Sequence, residues 1–599
     1  MLLPLILASS ALAQEPVYPE GAEIPASLTP AERAWLEENP LLPPARTPGL
    51  SAAPPTEAWC PPEYAPMDGI LISWEGSNSW KDILADMARE ITTIGDADVH
   101  VMVDTTSERS SATTTLQNNG VNMSRVIFHV VTTDSIWIRD YGPRYIYQGQ
   151  VRSVVDHVYN RPRPQDDMQP VYFADALGHA RYDIPLVHGG GNFHLDGQDT
   201  GYTTRLINDE NPSLTEQEIA DLWSDFQGLD MVFFDPYSSF IDSTQHLDMW
   251  MQVVADDVVV ISDWVNDQGS TQDLICEAAA FEMQARGFTV LRTPARRVFG
   301  THYTYTNVVM CNDLVLIPSY SNGTISQYNA QALATWQQAC PGKTIVPIDA
   351  QDIVTSAGVL HCIVMHLPAH LGGADPTARL TAPVVGASYD GGEQVLVEWI
   401  SDDDVAATSA ELWLTWDGGA SESLIAAGLP AAGSTLWDVP FTDLSGARLE
   451  VRVFDGDGNM GADASQELAI GDGAFRGSYG EGKPGILGIP QLSASALPVL
   501  GANVTIQVDA ALPNGSAYLL RGFATASNPF DGATLWVDQD RVYPLQVDGA
   551  GAASLTATVP NNPALVGLST YWQAWVQDDP QATGAGWASS AGMELRLGT

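Results

Sequence analysis

The chain reads as an α/β domain followed by two all-β modules, and three observations predict this. Between Trp59 and about Leu371, short β-branched runs such as VHVMVD, SRVIFHVV, MWMQVVADDVVVIS and DLVLIPSY alternate with helix-like stretches such as WKDILADMAREITTI and EAAAFEMQAR, and strands alternating with helices build an α/β architecture. Beyond HLGGADPTARL the helical pattern is lost; QVLVEWI, AELWLTW and RLEVRVF follow one another across the turn-rich SDDD, DGG and DGDGN segments. The 599 residues, 45% hydrophobic and 17% charged, can bury a large core and exceed the roughly 150 residues of one typical domain.

In chain order, residues 1–13 (MLLPLILASSALA) form a short apolar run ending in an Ala-x-Ala-like site, the pattern of a secretory leader, although no Lys or Arg precedes it. Residues 14–54 are rich in Pro and Ala and read as a tail or pro-segment with one helical island, where Thr29, Pro30 and Glu32 form a capping-box start. Residues 55–373 carry the α/β pattern. Residues 374–471 read as an immunoglobulin-like β-sandwich. A Gly-rich linker then leads into a further strand-rich module, 472–599, with NVTIQVD, AYLLRGF, ATLWVDQ and YWQAWVQ. Past the leader no stretch reaches the ~18–20 apolar residues of a membrane span.

Acidic residues outnumber basic ones 73 to 26, a formal net charge of −47. Such a field repels phosphate backbones and favours cations, so nucleic acid is an unsuitable partner and a cationic substrate a suitable one, although the same charge reads first as solubility in a salty or extracellular medium. Five cysteines, Cys60, Cys276, Cys311, Cys340 and Cys362, leave at least one thiol without an intramolecular disulfide partner; the other four allow two disulfides in three connectivities. No C-x-x-C spacing supports a zinc ribbon.

Five clusters in the α/β region carry reactive side chains. WIRDYGPR holds Trp137, Arg139 and Asp140; alone, an Arg-Asp pair ahead of Gly-Pro reads as a strand-capping turn satisfying its own charges. HGGGNFHLDG holds His188, Gly189 to Gly191, His194 and Asp196; the glycine run implies a tight turn or a close backbone approach, and the histidine spacing fits no metal-ligand pattern. TQHLDMW puts His246 and Asp248 two apart at the head of a strand, on one face of a sheet and able to address one pocket. Asn307 stands just before an apolar strand. Cys362, in GVLHCIVMHLP, follows His361, and alone would read as a buried, inert thiol.

In order and content these clusters resemble the Porphyromonas-type peptidylarginine deiminase and agmatine deiminase family, through W-x-R-D at Trp137–Asp140, G-G-N-x-x-x-D-G at Gly190–Gly197, H-x-D at His246–Asp248, Y-x-N at Tyr305–Asn307 and H-C-I at His361–Ile363. The resemblance implies a pseudo-fivefold α/β propeller, Cys362 as nucleophile, His246 as general acid and base, Asp140 and Asp248 as the carboxylates that hold a guanidinium, Trp137 beside the substrate and Asn307 orienting the site. No metal or organic cofactor is implied. His188 and His194 receive no catalytic role. The chemistry is coherent, because a guanidinium is a planar cation suited to bidentate carboxylates, and a thiolate attacks its carbon far better than a thiol.

YNRPRPQDD alone reads as an exposed loop with two solvated arginines. By the same resemblance, Arg161 and Arg163 grip the α-carboxylate of a C-terminal arginine, so the expected partners are arginine-containing peptides or proteins. Alternatives are agmatine or another small guanidino compound, amidino transfer to an amine, and a non-catalytic exported binding protein. No oligomeric state is predicted.

Overall fold

The computed structural model describes residues 16–19, 21–41, 52–384, 386–471 and 473–598; the leader expected at 1–13 lies outside them. The chain divides into two units, one ending at Leu371 and one starting at Gly372.

In the first unit five sheets repeat one strand pattern. Each begins with an antiparallel pair, followed by a parallel neighbour reached across a helix. Arg144–Gln148 pairs antiparallel with Val151–Tyr159, which is parallel to Ala180–His188. His194–Leu195, Thr200–Thr204 and Asp230–Phe234 do the same, as do Met251–Ala255, Val258–Asp263 and Thr289–Pro294, and Val309–Cys311, Leu314–Ser319 and Thr344–Asp349. The fifth sheet joins the two ends of the unit: Met365–Pro368 pairs antiparallel with Met67–Ser73, which is parallel to Asp98–Val103. The parallel crossovers carry the helices Asn78–Thr93, Gln169–Leu177, Glu216–Gln227, Thr271–Ala285 and Asn329–Ala339, because a parallel pair needs a long connection.

Local sequence accounts for these elements. Asn78–Thr93 buries Trp80, Ile83, Leu84, Met87, Ala88 and Ile91, a three-to-four spacing that lays one face on the sheet. Glu216–Gln227 starts on a capping box between Thr215 and Glu218 and ends on Gly228 in the left-handed region, where a Cβ would be strained. The N-terminal island is the helix Pro30–Glu38, with the capping box between Thr29 and Glu32 formed as the sequence predicts. It is more than a loose tail, since Ile24, Ala26 and Glu32 are buried.

The second unit is all-β and holds two sandwiches. In one, a three-stranded sheet supplies Val397, Trp399 and Trp437, and a six-stranded sheet supplies Leu412, Leu449, Val451 and Val453, to a shared core. In the other, Ile506 and Val508 meet Leu519, Ala574 and Val576 from the facing sheet. Along Asn503–Asp509 buried residues alternate with half-buried or exposed ones, as a strand with one face in the core requires. No helix among the described residues is long and apolar enough to cross a membrane.

All five cysteines are free and buried. Cys60, Cys276, Cys311 and Cys340 lie in four different hydrophobic clusters, so the disulfides that their number allowed are not formed.

Candidate active site

Each of the five clusters sits in the segment that leads into the first strand of one of the repeated sheets. Asp140 lies on the short helix Ile138–Tyr141 before Arg144–Gln148; Gly190–Asn192 precedes His194–Leu195; His246 and Asp248 precede Met251–Ala255; Asn307 precedes Val309–Cys311; and Cys362, in the turn His361–Ile363, precedes Met365–Pro368. The repeat thereby delivers one chemical group per sheet to a common place. His246 and Asp248 are brought together by the 3₁₀ turn Leu247–Met249, not by sharing a strand face as the sequence reading expected.

The five central side chains, Asp140, His246, Asp248, Asn307 and Cys362, are at most 2% exposed. Cys362 Sγ lies 3.5 Å from Asp248 Oδ2 and accepts a hydrogen bond from Asn307 Nδ2 at 3.2 Å. Asn307 also accepts from the His361 backbone N–H at 2.9 Å, so one amide pins the turn that carries the thiol. Asp140 Oδ1 accepts from the Gly191 N–H at 3.0 Å and lies 3.3 Å from His246 Nδ1. Among the described residues, Asp248 Oδ1 and His246 Nε2 have no hydrogen-bond partner. Buried orphans of this kind are costly unless a ligand meets them.

The glycine run resolves as close approach. None of Gly189 to Gly191 has positive φ. A Cβ on Gly191 would stand 2.7 Å from His246 Nδ1, 2.8 Å from Asp140 Oδ1 and 3.1 Å from Asp248 Oδ2, and one on Gly190 would stand 2.2 Å from the Arg139 carbonyl oxygen. The backbone there fits only without side chains.

Electrostatics divide the site. Burial, joined by the charges of Asp248 and Asp140, pushes the Cys362 thiol well above its ordinary range, so it is protonated in the unliganded site. Burial disfavours a charged His246, but the adjacent Asp140 carboxylate outweighs it and raises that pKa. Burial likewise opposes ionised Asp140, and His246 reverses the balance to hold Asp140 low.

Around these lies a second layer, in which Arg139 and His361 belong to sequence motifs but Glu63 had no sequence signal. Arg139 and Asp140 do not satisfy each other: Arg139 Nη1 pairs with Glu63 Oε1 at 2.8 Å. His361 bridges the two layers, its Nδ1 2.8 Å from Asp248 Oδ2 and its Nε2 2.9 Å from Glu63 Oε1. Burial and Arg139 work against a His361 cation, but Glu63 and Asp248 prevail and its pKa is raised. Asp248 is thus aimed at Cys362 by a charged relay that starts at Glu63, a residue in the Pro-rich turn Pro61–Tyr64. Glu63, His194 and His361 also place ligand-type atoms within 4.8 Å of one another. A cation there would displace the His361–Glu63 contact and sit beside the Arg139 guanidinium, so the donor set fits a hydrogen-bond network better than a metal.

The remaining predicted residues lie around this centre. Trp137 is buried and donates from Nε1 to the Ile24 carbonyl at 2.7 Å. Arg161 and Arg163 are not solvated, being 7% and 1% exposed. Arg161 is near enough for its charge to act on both Asp140 and His246. Arg163 instead forms a fork with Glu32, Nε to Oε1 at 2.7 Å and Nη2 to Oε2 at 3.3 Å.

The family model described as Porphyromonas-type peptidyl-arginine deiminase matches residues 59–368, just over half of the chain, a span that holds all five clusters. The chain belongs to that family. It is accordingly a hydrolase of C–N bonds in guanidino groups. Similar curated proteins include the "Putative agmatine deiminase" of Selenomonas ruminantium, 24% identical over 366 residues that span 52% of this chain and 96% of the relative, and that of Yersinia pestis, 26% identical over 361 residues, 52% and 95%. Among solved structures, the agmatine deiminase of Enterococcus faecalis is similar at 19% identity and a TM-score of 0.47, covering 53% of this chain and 99% of its own.

Proposed function

We propose that the enzyme hydrolyses the guanidinium of arginine bearing a free carboxylate, foremost arginine at the C-terminus of a peptide, yielding citrulline and ammonia. The observation that carries this reading is a buried thiol set against two buried carboxylates, one of them with an unpartnered oxygen. A thiol so placed keeps its proton until a cation arrives, and a guanidinium is the planar cation whose N–H groups suit Asp140 and Asp248. Its charge lowers the Cys362 pKa, and sulfur bonds to the guanidinium carbon. The C–N bond breaks, and the thiol proton, carried by His246, leaves on ammonia. Water then attacks the sulfur-bound carbon and gives a proton to His246; the C–S bond breaks and the thiol is restored.

The carboxylate preference is supported by Arg161, whose charge acts at the catalytic groups, and by the peptidyl-arginine description of the family. The proposal includes a pseudo-fivefold propeller, supported by the five repeated sheets, export by the leader at 1–13, and immunoglobulin-like character for the first sandwich. A second reading, deimination of agmatine, is favoured by the Arg163–Glu32 pair, which leaves that fork neutralised, and by the names of the relatives. Assays of ammonia and of the ureido product on a peptide ending in arginine, the same peptide amidated, and agmatine decide between them. The first reading predicts the highest kcat/KM on the free acid; a maximum on agmatine overturns it.

A further inference from the structure

The N-terminal segment, which precedes the family match at residue 59, meets the site at three predicted substrate-binding side chains. Trp137 Nε1 donates to the Ile24 carbonyl at 2.7 Å, Arg161 Nε to the Ala26 carbonyl at 3.1 Å, and Arg163 Nη2 to the Pro25 carbonyl at 2.9 Å. The Ala26 N–H donates to the Ser356 carbonyl at 2.9 Å, tying the same segment to the turn Val354–Ser356. Helix Pro30–Glu38 then delivers Glu32, which is 0% exposed, onto the 1% exposed Arg163. Burial alone would keep Glu32 neutral, yet the Arg163 hydrogen bond and charge, with the Thr29 contacts, hold its carboxyl low.

We infer that residues 24–32 are an intramolecular occupant of a carboxylate site, which Glu32 fills and a substrate carboxylate takes over. This rests on the carboxylate reading above and adds to it a competition. A buried arginine stripped of its partner is strongly disfavoured, so Glu32 leaves only in exchange for another carboxylate. A decarboxylated amine such as agmatine carries no group for that exchange. Occupancy of the fork by the chain itself lowers apparent affinity by the fraction of molecules in the open state. The segment is therefore a specificity element, displaced by the feature that distinguishes arginine from agmatine.

The test is hydrogen–deuterium exchange on full-length Cys362→Ser, alone and saturated with a peptide ending in arginine or with its C-terminal amide. Amides of residues 24–38 should exchange at least about tenfold faster with the acid and remain protected with the amide. Unchanged protection at saturating acid overturns the inference. Glu32→Gln in the otherwise natural chain supplies an independent readout. It should lower KM for the acid about tenfold relative to the amide, and an unchanged acid-to-amide ratio overturns the competition. Arg161→Gln/Arg163→Gln separates the two levels. If that double variant leaves the acid-to-amide ratio unaltered, the carboxylate reading itself fails; if the ratio falls while the 24–38 amides stay protected, that reading stands and displacement is wrong.

Discussion

The two units of this chain handle polarity in opposite ways. All eleven histidines and all five cysteines lie at or before His370, within the first unit, where Asp140, Asp248, His246, His361, Arg139 and Arg163 are all buried. The second unit has neither residue type, and its two cores are built from Val, Leu, Ile, Ala, Trp and Met. The side chains of those two cores contribute packing, which tolerates change in proportion to volume. The buried ionisable side chains of the site in the first unit contribute aimed charge, which fails when a single partner moves. A mutation of modest size should therefore act on turnover in one unit and on stability in the other.

Apart from the reacting and substrate-holding side chains themselves, the largest effect on turnover is expected at Gly191. One methyl group in Gly191→Ala lies inside contact distance of His246, Asp140 and Asp248 together, and a displacement near 1 Å at the reacting groups lowers kcat about 10²-fold. Steady-state kinetics alongside a melting curve check this; full activity would show that the glycine run is only a turn.

Glu63→Gln should act more mildly, lowering kcat about tenfold, because Glu63 positions His361 and Arg139 without touching substrate. Its diagnostic is the pH profile. Glu63 helps to raise the His361 pKa, so its removal makes His361 lose its proton at lower pH, and the alkaline limb of kcat moves toward acid. A fall in kcat with an unmoved profile would assign Glu63 a purely structural role.

At the small end, Trp399→Ala empties a fully buried site in the first sandwich. It should destabilise that unit by about 3–5 kcal/mol and leave kcat unchanged. A proportional loss of turnover would break the comparison by coupling the sandwich to the chemistry.

How far these properties were legible depended on range. Strand and helix patterns are local, and MWMQVVADDVVVIS does form an antiparallel pair, Met251–Ala255 with Val258–Asp263; the Thr29/Glu32 box spans four residues and forms as written. The five motifs were readable as a set only through their resemblance to the family; that each leads into the first strand of one repeated sheet is visible in the structure alone. Glu63 was not readable, since its partner His361 is 298 positions away and nothing in CPPEYAP marks a half-buried acid that serves the site. The Arg163–Glu32 fork joins residues 131 apart; local composition could show a capping acid at Glu32 but not its second use. The glycine run gave two readings, and only the approach of three other segments chose between them.

The central claim, that Cys362 becomes nucleophilic when a cation neutralises Asp140 and Asp248, is tested most directly by comparing a cationic and a neutral alkylating agent. Because burial and the two carboxylates raise the thiol pKa, iodoacetamide should modify Cys362 slowly at pH 7 and faster only as the solution becomes alkaline. A haloacetamidine supplies the missing charge and should give a single adduct on Cys362 at pH 7, at a rate about 10²-fold higher or more. Equal rates for the two reagents, or a haloacetamidine adduct elsewhere with Cys362 unmodified, would contradict the account.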